Sequence, residues 1–147
     1  MPARRADVPG LALVIGQFAC MAVLLAGSWT LPWWAWSLFL LGVAIFLWAL
    51  LSLGKHNLAV LPAPRAGNRL SNQGIYRRVR HPMYLGVLLC GLALALGAPA
   101  WWRWAAWGGA LAVLVMKVLH EERQLTLLHP DYPARMRGVA HLFPGVW

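Results

Sequence analysis

The sequence predicts an all-α integral membrane protein of four transmembrane helices. Three observations predict it. Of 147 residues, 61% are hydrophobic and only 12% charged, against about 45–50% and about 25% in soluble domains. So short a chain cannot hide that much apolar surface in an aqueous core. The apolar residues fall into four runs separated by short or basic connections, and twelve of the thirteen Lys and Arg side chains fall on one side of the alternation those runs define. Disorder, a secreted disulfide scaffold and an ordinary cytosolic enzyme are all excluded.

The first run, 11–29, contains Gln17 as its only strongly polar side chain, and the second, 33–53, carries no charge. Both reach the roughly 20 residues that cross about 30 Å of hydrocarbon. Arg4 and Arg5 ahead of the first run, with Ala26-Gly27-Ser28 behind it, resemble a signal peptide. The run exceeds the usual 7–15 residues of such a core, however, and reads as an uncleaved span. The third helix, 82–98, opens with Pro82, which suits a first turn because its missing N–H is not needed there. The fourth, 101–120, holds Arg103 near its start and Lys117 near its end. Gly97-Ala98-Pro99-Ala100 is too short a link for anything but an antiparallel hairpin between these two helices.

The thirteen basic residues outweigh four acids (Asp7, Glu121, Glu122, Asp131), for a net charge of +9. In a soluble chain such a balance would suggest nucleic acid. In a membrane protein it reflects basic cytoplasmic loops lying against anionic lipid, and no nucleic-acid partner is expected. Both termini and the middle connection are thereby placed on the cytoplasmic side of a cytoplasmic or inner membrane. Trp29, Trp33, Trp34 and Trp36 flank one opposite loop and Trp101, Trp102 and Trp104 the other, as interfacial aromatic belts do. Cys20 and Cys90 stand alone in apolar runs, with no disulfide or metal spacing.

The middle connection, 55–81, is irregular. Pro62, Pro64, Gly67-Asn68 and Gly74 interrupt it before the basic Arg77-Arg78-Val79-Arg80. Loops of this length are usually functional or disordered. The last 28 residues are too rich in Leu, Tyr, Phe and Trp to be a solvated tail. They are expected to lie along the membrane surface or to fold back over the helix ends.

Ionisable groups gather at one membrane face. Arg80, His81, Pro82, Met83 and Tyr84 open the third helix, while Lys117, His120, Glu121 and Glu122 close the fourth, so the hairpin brings both sets into one cytoplasmic pocket. Arg80 and the positive end of the third helix favour an anionic group, and Glu121 and Glu122 a cationic one. Such a pocket suits a zwitterion with an amino-acid moiety and a positive centre. The plainer alternative for the two glutamates is a solvated helix end paired with Arg123 or Arg80, although carboxylates there would oppose the helix dipole. His120-Glu121 hints at a zinc motif, but Gln124 stands where its second histidine would be, and no metal is expected. No GxGxxG fingerprint follows a strand-like run, and no span carries a central ionisable residue of the kind coupled transporters keep.

Gly74-Ile75-Tyr76, Arg80-His81-Pro82-Met83-Tyr84-Leu85-Gly86, Glu121-Glu122 with Leu125, Tyr132 and Leu142-Phe143-Pro144 occur in that order. Together they resemble the isoprenylcysteine carboxyl methyltransferase family, which is related to the membrane phospholipid methyltransferases. The resemblance covers 54–144 of a single membrane domain, 1–147, with its signature-bearing part in 54–147. It implies S-adenosylmethionine as methyl donor and a cytoplasmic loop and C-terminal segment covering the active site. It implies cofactor contacts from Asn68, Arg69, Leu70, Ser71, Tyr76, His81, Pro82, Met83, Tyr84 and Glu121, and a substrate contact from Lys117.

Methyl transfer from a sulfonium is an in-line displacement in which positioning supplies much of the rate. A carboxylate acceptor is already ionised and needs only a cation such as Lys117 to align it. An amine acceptor must first lose a proton, to Glu122 or His120. Lys117 lies one turn before Glu121 on the same helix face, although it could simply snorkel to the headgroups. The reading favoured is O-methylation of a lipophilic carboxylate such as a prenylcysteine-like acceptor, with Lys117 and Glu122 as catalytic candidates. The alternatives are phospholipid N-methylation and a non-enzymatic structural or assembly role. The partners expected are a lipophilic small-molecule or lipid-modified acceptor and membrane lipids.

Overall fold

Long runs of Leu, Ala, Val and Trp with no internal proline satisfy every backbone group within a helix, and helices are what form. The computed structural model describes residues 7–53 and 73–147. Its helices are α1 (Val8–Leu25), α2 (Trp33–Leu53), α3 (Pro82–Gly97), α4 (Trp101–Leu128) and the short α5 (Tyr132–Arg135), with one 3-10 turn at Gly74–Arg77 before α3. Helices α1 and α2 are long and apolar enough to cross a membrane; α3 is apolar but shorter, and Arg103 and Lys117 interrupt the apolar run of α4.

Two boundaries differ from the sequence expectation. Helix α1 starts earlier and ends at Leu25 rather than 29, because Ala26 turns extended and Gly27 takes a positive φ of 87°. Its start is fixed by Asp7, whose carboxylate accepts the Gly10 N–H at 3.0 Å, a side-chain cap on an otherwise orphaned donor. Helix α4 runs eight residues beyond 120, to Leu128. The chain there turns polar, which ends an apolar run, but Arg123, Gln124 and Leu125 are good helix formers and Pro130 is the first breaker. Glu121 and Glu122 therefore sit inside a helix, and the dipole argument for a carboxylate at a helix end does not apply to them. His81 caps α3 with Pro82 in its first turn, as expected.

Helix α2 packs along α3, α1 along α4, and α3 and α4 form the hairpin. The α2–α3 crossing is close enough that the backbones touch. A Cβ on Gly86 would stand 2.7 Å from the Gly42 carbonyl oxygen, and one on Gly42 would stand 2.8 Å from that of Gly86. Small residues that admit such approach are the usual means of joining apolar helices where lipid removes the hydrophobic drive. The other signature glycine, Gly74, has φ +55°, and a Cβ there would strike the Ser52 side chain at the end of α2.

At the far end of the bundle, Arg103 is 1% exposed. Its guanidinium donates to Ala26 O (2.7 Å), Ser28 O (2.8 Å), Ala98 O (3.1 Å) and Leu94 O (3.3 Å), and lies 5.1 Å over the Trp102 ring. One side chain thus ties the loop after α1 to the end of α3. At the near end the C-terminal segment folds back over the helix ends, the second of the two courses expected for it. Val79 and Ala140 form a parallel bridge, Arg80 N–H donates to Ala140 O (2.8 Å) and His81 N–H to His141 O (3.1 Å). Leu142 is then buried among Leu85, Leu88 and Leu114, so the tail is part of the core.

Candidate active site

The hairpin does bring the two polar stretches together. His81, at the cap of α3, lies between the two glutamates of α4. Its Nδ1 is 3.2 Å from Glu121 Oε2 and its Nε2 is 2.9 Å from Glu122 Oε1. A neutral imidazole donates from one nitrogen only, so two carboxylate partners call for the imidazolium. Burial by itself would push the His81 pKa down, but the hydrogen bonds and charges of Glu121 and Glu122 win and raise it to about 9.

Glu122 is the more heavily engaged carboxylate. Oε1 also accepts from the Tyr132 hydroxyl at 2.7 Å, and Oε2 accepts from Arg80 Nη1 at 2.8 Å. Burial raises its pKa, but His81, Tyr132 and Arg80 together bring it down to about 2. The Tyr132 phenol is pushed above its usual range by burial and then by Glu122. Arg80 spends its other N–H groups on the tail, donating to Met136 O (2.7 Å) and Val139 O (2.9 Å). His141 Nδ1 stands 3.7 Å from Glu122 with its ring stacked on Trp147, and its pKa is lowered by burial and by Arg80.

Glu121 has fewer partners. Besides His81, it accepts from the Tyr84 hydroxyl. Tyr84 stacks parallel to His81 and presents its ring face to the Lys117 ammonium, 4.8 Å away. Lys117 is 4% exposed and points inward, donating to Gln17 Oε1 at 2.8 Å; it does not snorkel. Tyr76 lies buried in a cluster with Ala49 and Ile75, with Met83 packed against it, and its phenol is pushed up by burial and by the charge of Glu121. Pro82 is fully buried beneath. His120 is paired with Asp7, at 3.0 and 3.1 Å. Asn68, Arg69, Leu70 and Ser71 lie outside the described residues.

The tail's dependence on Tyr132 and Arg80, and the contacts of Asp7 and Gln17, were not anticipated as site features. Gln17 did carry a signal, as the lone strongly polar side chain of its run.

The model of the phospholipid methyltransferase family matches residues 30–129, from just before α2 to the end of α4, with Arg80, His81, Tyr84, Lys117, Glu121 and Glu122 inside it and Tyr132 and His141 beyond it. The chain belongs to that family. No curated protein matches it significantly. Family membership makes it a membrane methyltransferase of a kind that generally uses S-adenosylmethionine. The residues suit that donor. Within one cluster stand a carboxylate with a partly open side, Glu121, and the cations Arg80 and His81, matching a ligand that carries both a carboxylate and positive centres.

The charge on His81 sets an expectation for pH. A histidine raised from 6.5 to about 9 gives stability that is complete below about 6.5 and is lost as pH rises through 9. A glutamate lowered from 4.5 to about 2 gives stability that is present above about 4.5 and is lost as pH falls through 2. Melts in detergent should therefore be flat between these limits, with midpoints declining from pH 6.5 to 9. His81→Gln should remove that alkaline decline, and an unchanged decline would show that another group causes it.

Proposed function

We propose that the protein transfers a methyl group from S-adenosylmethionine to the carboxylate of a lipophilic, prenylcysteine-like acceptor at the cytoplasmic membrane face. The observation that carries this is the charge balance of the cluster. Among the described residues of the cluster, Glu122 is matched by Arg80 and Glu121 by His81, which leaves the inward-facing Lys117 ammonium without a carboxylate of its own. It sits over Tyr84, one helical turn from Glu121. An acceptor carboxylate completes that balance. An ammonium acceptor would be repelled by Lys117 and would need a base, and both candidates are occupied, Glu122 by three donors and His120 by Asp7. We therefore assign Glu122 to positioning rather than to proton transfer.

The donor supplies its methyl on a positive sulfur. On this reading Tyr76, His81, Pro82, Met83, Tyr84 and Glu121, with Asn68, Arg69, Leu70 and Ser71 of the preceding connection, hold it. Helices α3 and α4 also span the membrane, with both termini cytoplasmic, and the whole chain is one domain. An apolar groove of about 250 Å³ between α1, α2 and α3, lined by Met21, Leu24, Phe39, Val43, Gly86 and Cys90, is a candidate place for the acceptor's apolar tail. The family's own description favours the second reading, methylation of a phospholipid amine.

The test is a titration of purified protein with S-adenosylmethionine, followed by methyl-transfer assays on a prenylcysteine analogue and on phosphatidylethanolamine. Glu121→Ala should weaken donor binding roughly ten- to a hundredfold, the worth of a charge-assisted hydrogen bond. Lys117→Ala should lose turnover of the acid. If the wild type methylates only the amine, the phospholipid reading replaces this one. No donor binding at all would point to a structural protein.

A further inference from the structure

We infer that Gln17, on the helix that precedes the family-matched segment, is the positioning residue that keeps the Lys117 ammonium aimed at the acceptor's anionic group. The inference rests on the reading of Lys117 just given and extends it to α1. Lysines near helix ends ordinarily run their four-carbon stems outward to the headgroups. Lys117 does the reverse, and an ammonium turned into an apolar bundle needs an acceptor to be held there. Among the described residues its hydrogen-bond acceptor is Gln17 Oε1, at 2.8 Å, and Gln17 is itself 7% exposed.

The amide is oriented by its own surroundings. An ammonium only donates, so the oxygen must face Lys117, which turns Nε2 toward Met21 Sδ one turn further along α1, at 3.8 Å. On the opposite side the ammonium meets the Tyr84 ring, whose hydroxyl holds Glu121. Gln17, Lys117, Tyr84 and Glu121 thus form a row across α1, α4 and α3. One end of the row is neutral and the other acidic. A neutral acceptor at position 17 is what the arrangement requires. It holds the ammonium without cancelling its charge, so that charge stays available to an anion. The acceptor's anion is a carboxylate on a prenylcysteine-like molecule or the phosphate on a phospholipid.

The experiment uses the full chain in detergent, with equilibrium binding and turnover measured for a prenylcysteine analogue and for phosphatidylethanolamine. Gln17→Leu should raise acceptor KM about tenfold with kcat little changed, as expected for an interaction shared by ground and transition states. Donor affinity should stay within about twofold, because Glu121 and His81 are untouched. Gln17→Asn should recover part of the loss. Gln17→Glu should bind acceptor worse than Gln17→Leu, since a carboxylate there competes with the acceptor's own anion. A purely structural hydrogen bond would instead be rescued by glutamate. On a Lys117→Met background, Gln17→Leu should have no further effect. An unchanged KM in Gln17→Leu, rescue by glutamate, or a full effect without Lys117 would each overturn the inference. If the wild type turns over only the amine, the carboxylate reading falls, and the same KM comparison on the phospholipid decides Gln17 independently. A wild type that binds neither acceptor overturns both.

Discussion

Glu122→Leu should destabilise the protein by about 3–5 kcal/mol, the cost of removing one partner from a buried ion pair. The loss is large because three groups depend on this carboxylate. Arg80 Nη1, His81 Nε2 and the Tyr132 hydroxyl all converge on it within 3 Å. Leucine matches the volume but leaves an arginine and an imidazolium facing apolar surface. The damage should spread to the tail, because Arg80 holds Met136 and Val139, and Tyr132 begins α5. Glu122→Gln keeps one acceptor oxygen and should cost less, about 1–3 kcal/mol. Thermal melts in detergent would measure the stability, and limited trypsin digestion at Arg135 and Arg137 would report release of the tail. If Glu122 were instead a proton acceptor in turnover, Glu122→Gln would abolish activity even under conditions where the melt and the digestion pattern show the variant fully folded.

The site was legible in the sequence to the extent that covalent geometry dictates it. Four residues between α3 and α4 permit only a hairpin, so Arg80–Tyr84 and Lys117–Glu122 had to meet, and they do. The signature glycines became intelligible only in three dimensions: Gly86 exists for Gly42 and Gly74 for Ser52, contacts between segments more than twenty residues apart. The depth of α1 was not readable at all. A helix apolar on every side offers no periodicity to say which face meets which neighbour. Nothing local could announce that Gln17 would reach Lys117, or that Asp7 would reach His120. The end of α4 was misjudged for a related reason. Hydropathy reports where an apolar run stops, whereas helix propensity and the next proline determine where the helix stops, and here the two differ by two turns.

Arg103→Leu should cost about 2–4 kcal/mol, and without any effect on the site. Arg103 counted in the sequence only as the single basic residue on the loop side of the bundle. The structure shows it buried at 1% exposure and bound to four carbonyl oxygens, three from two different connections and one, Leu94, from the last turn of α3. Leu94 O keeps another partner, the N–H of Ala98, so three acceptors would be stranded, those of Ala26, Ser28 and Ala98. Each buried acceptor left bare costs about 1–3 kcal/mol, and the sum is moderated because Ala26 and Ser28 are exposed residues whose carbonyls water can partly reach. Lysine at this position should restore only part of the loss. A guanidinium presents a planar fork of five N–H groups that can span separated carbonyls, and an ammonium cannot. Eighteen residues of helix separate Arg103 from Glu121, about 27 Å at 1.5 Å per residue. Donor affinity of a folded Arg103→Leu should therefore equal that of the wild type, even as its melting temperature drops. A variant that melts with the wild type would mean that water already satisfies those carbonyls. In that case the α1–α2 connection must be held by its aromatic contacts, Trp29 against Trp36 and Phe39.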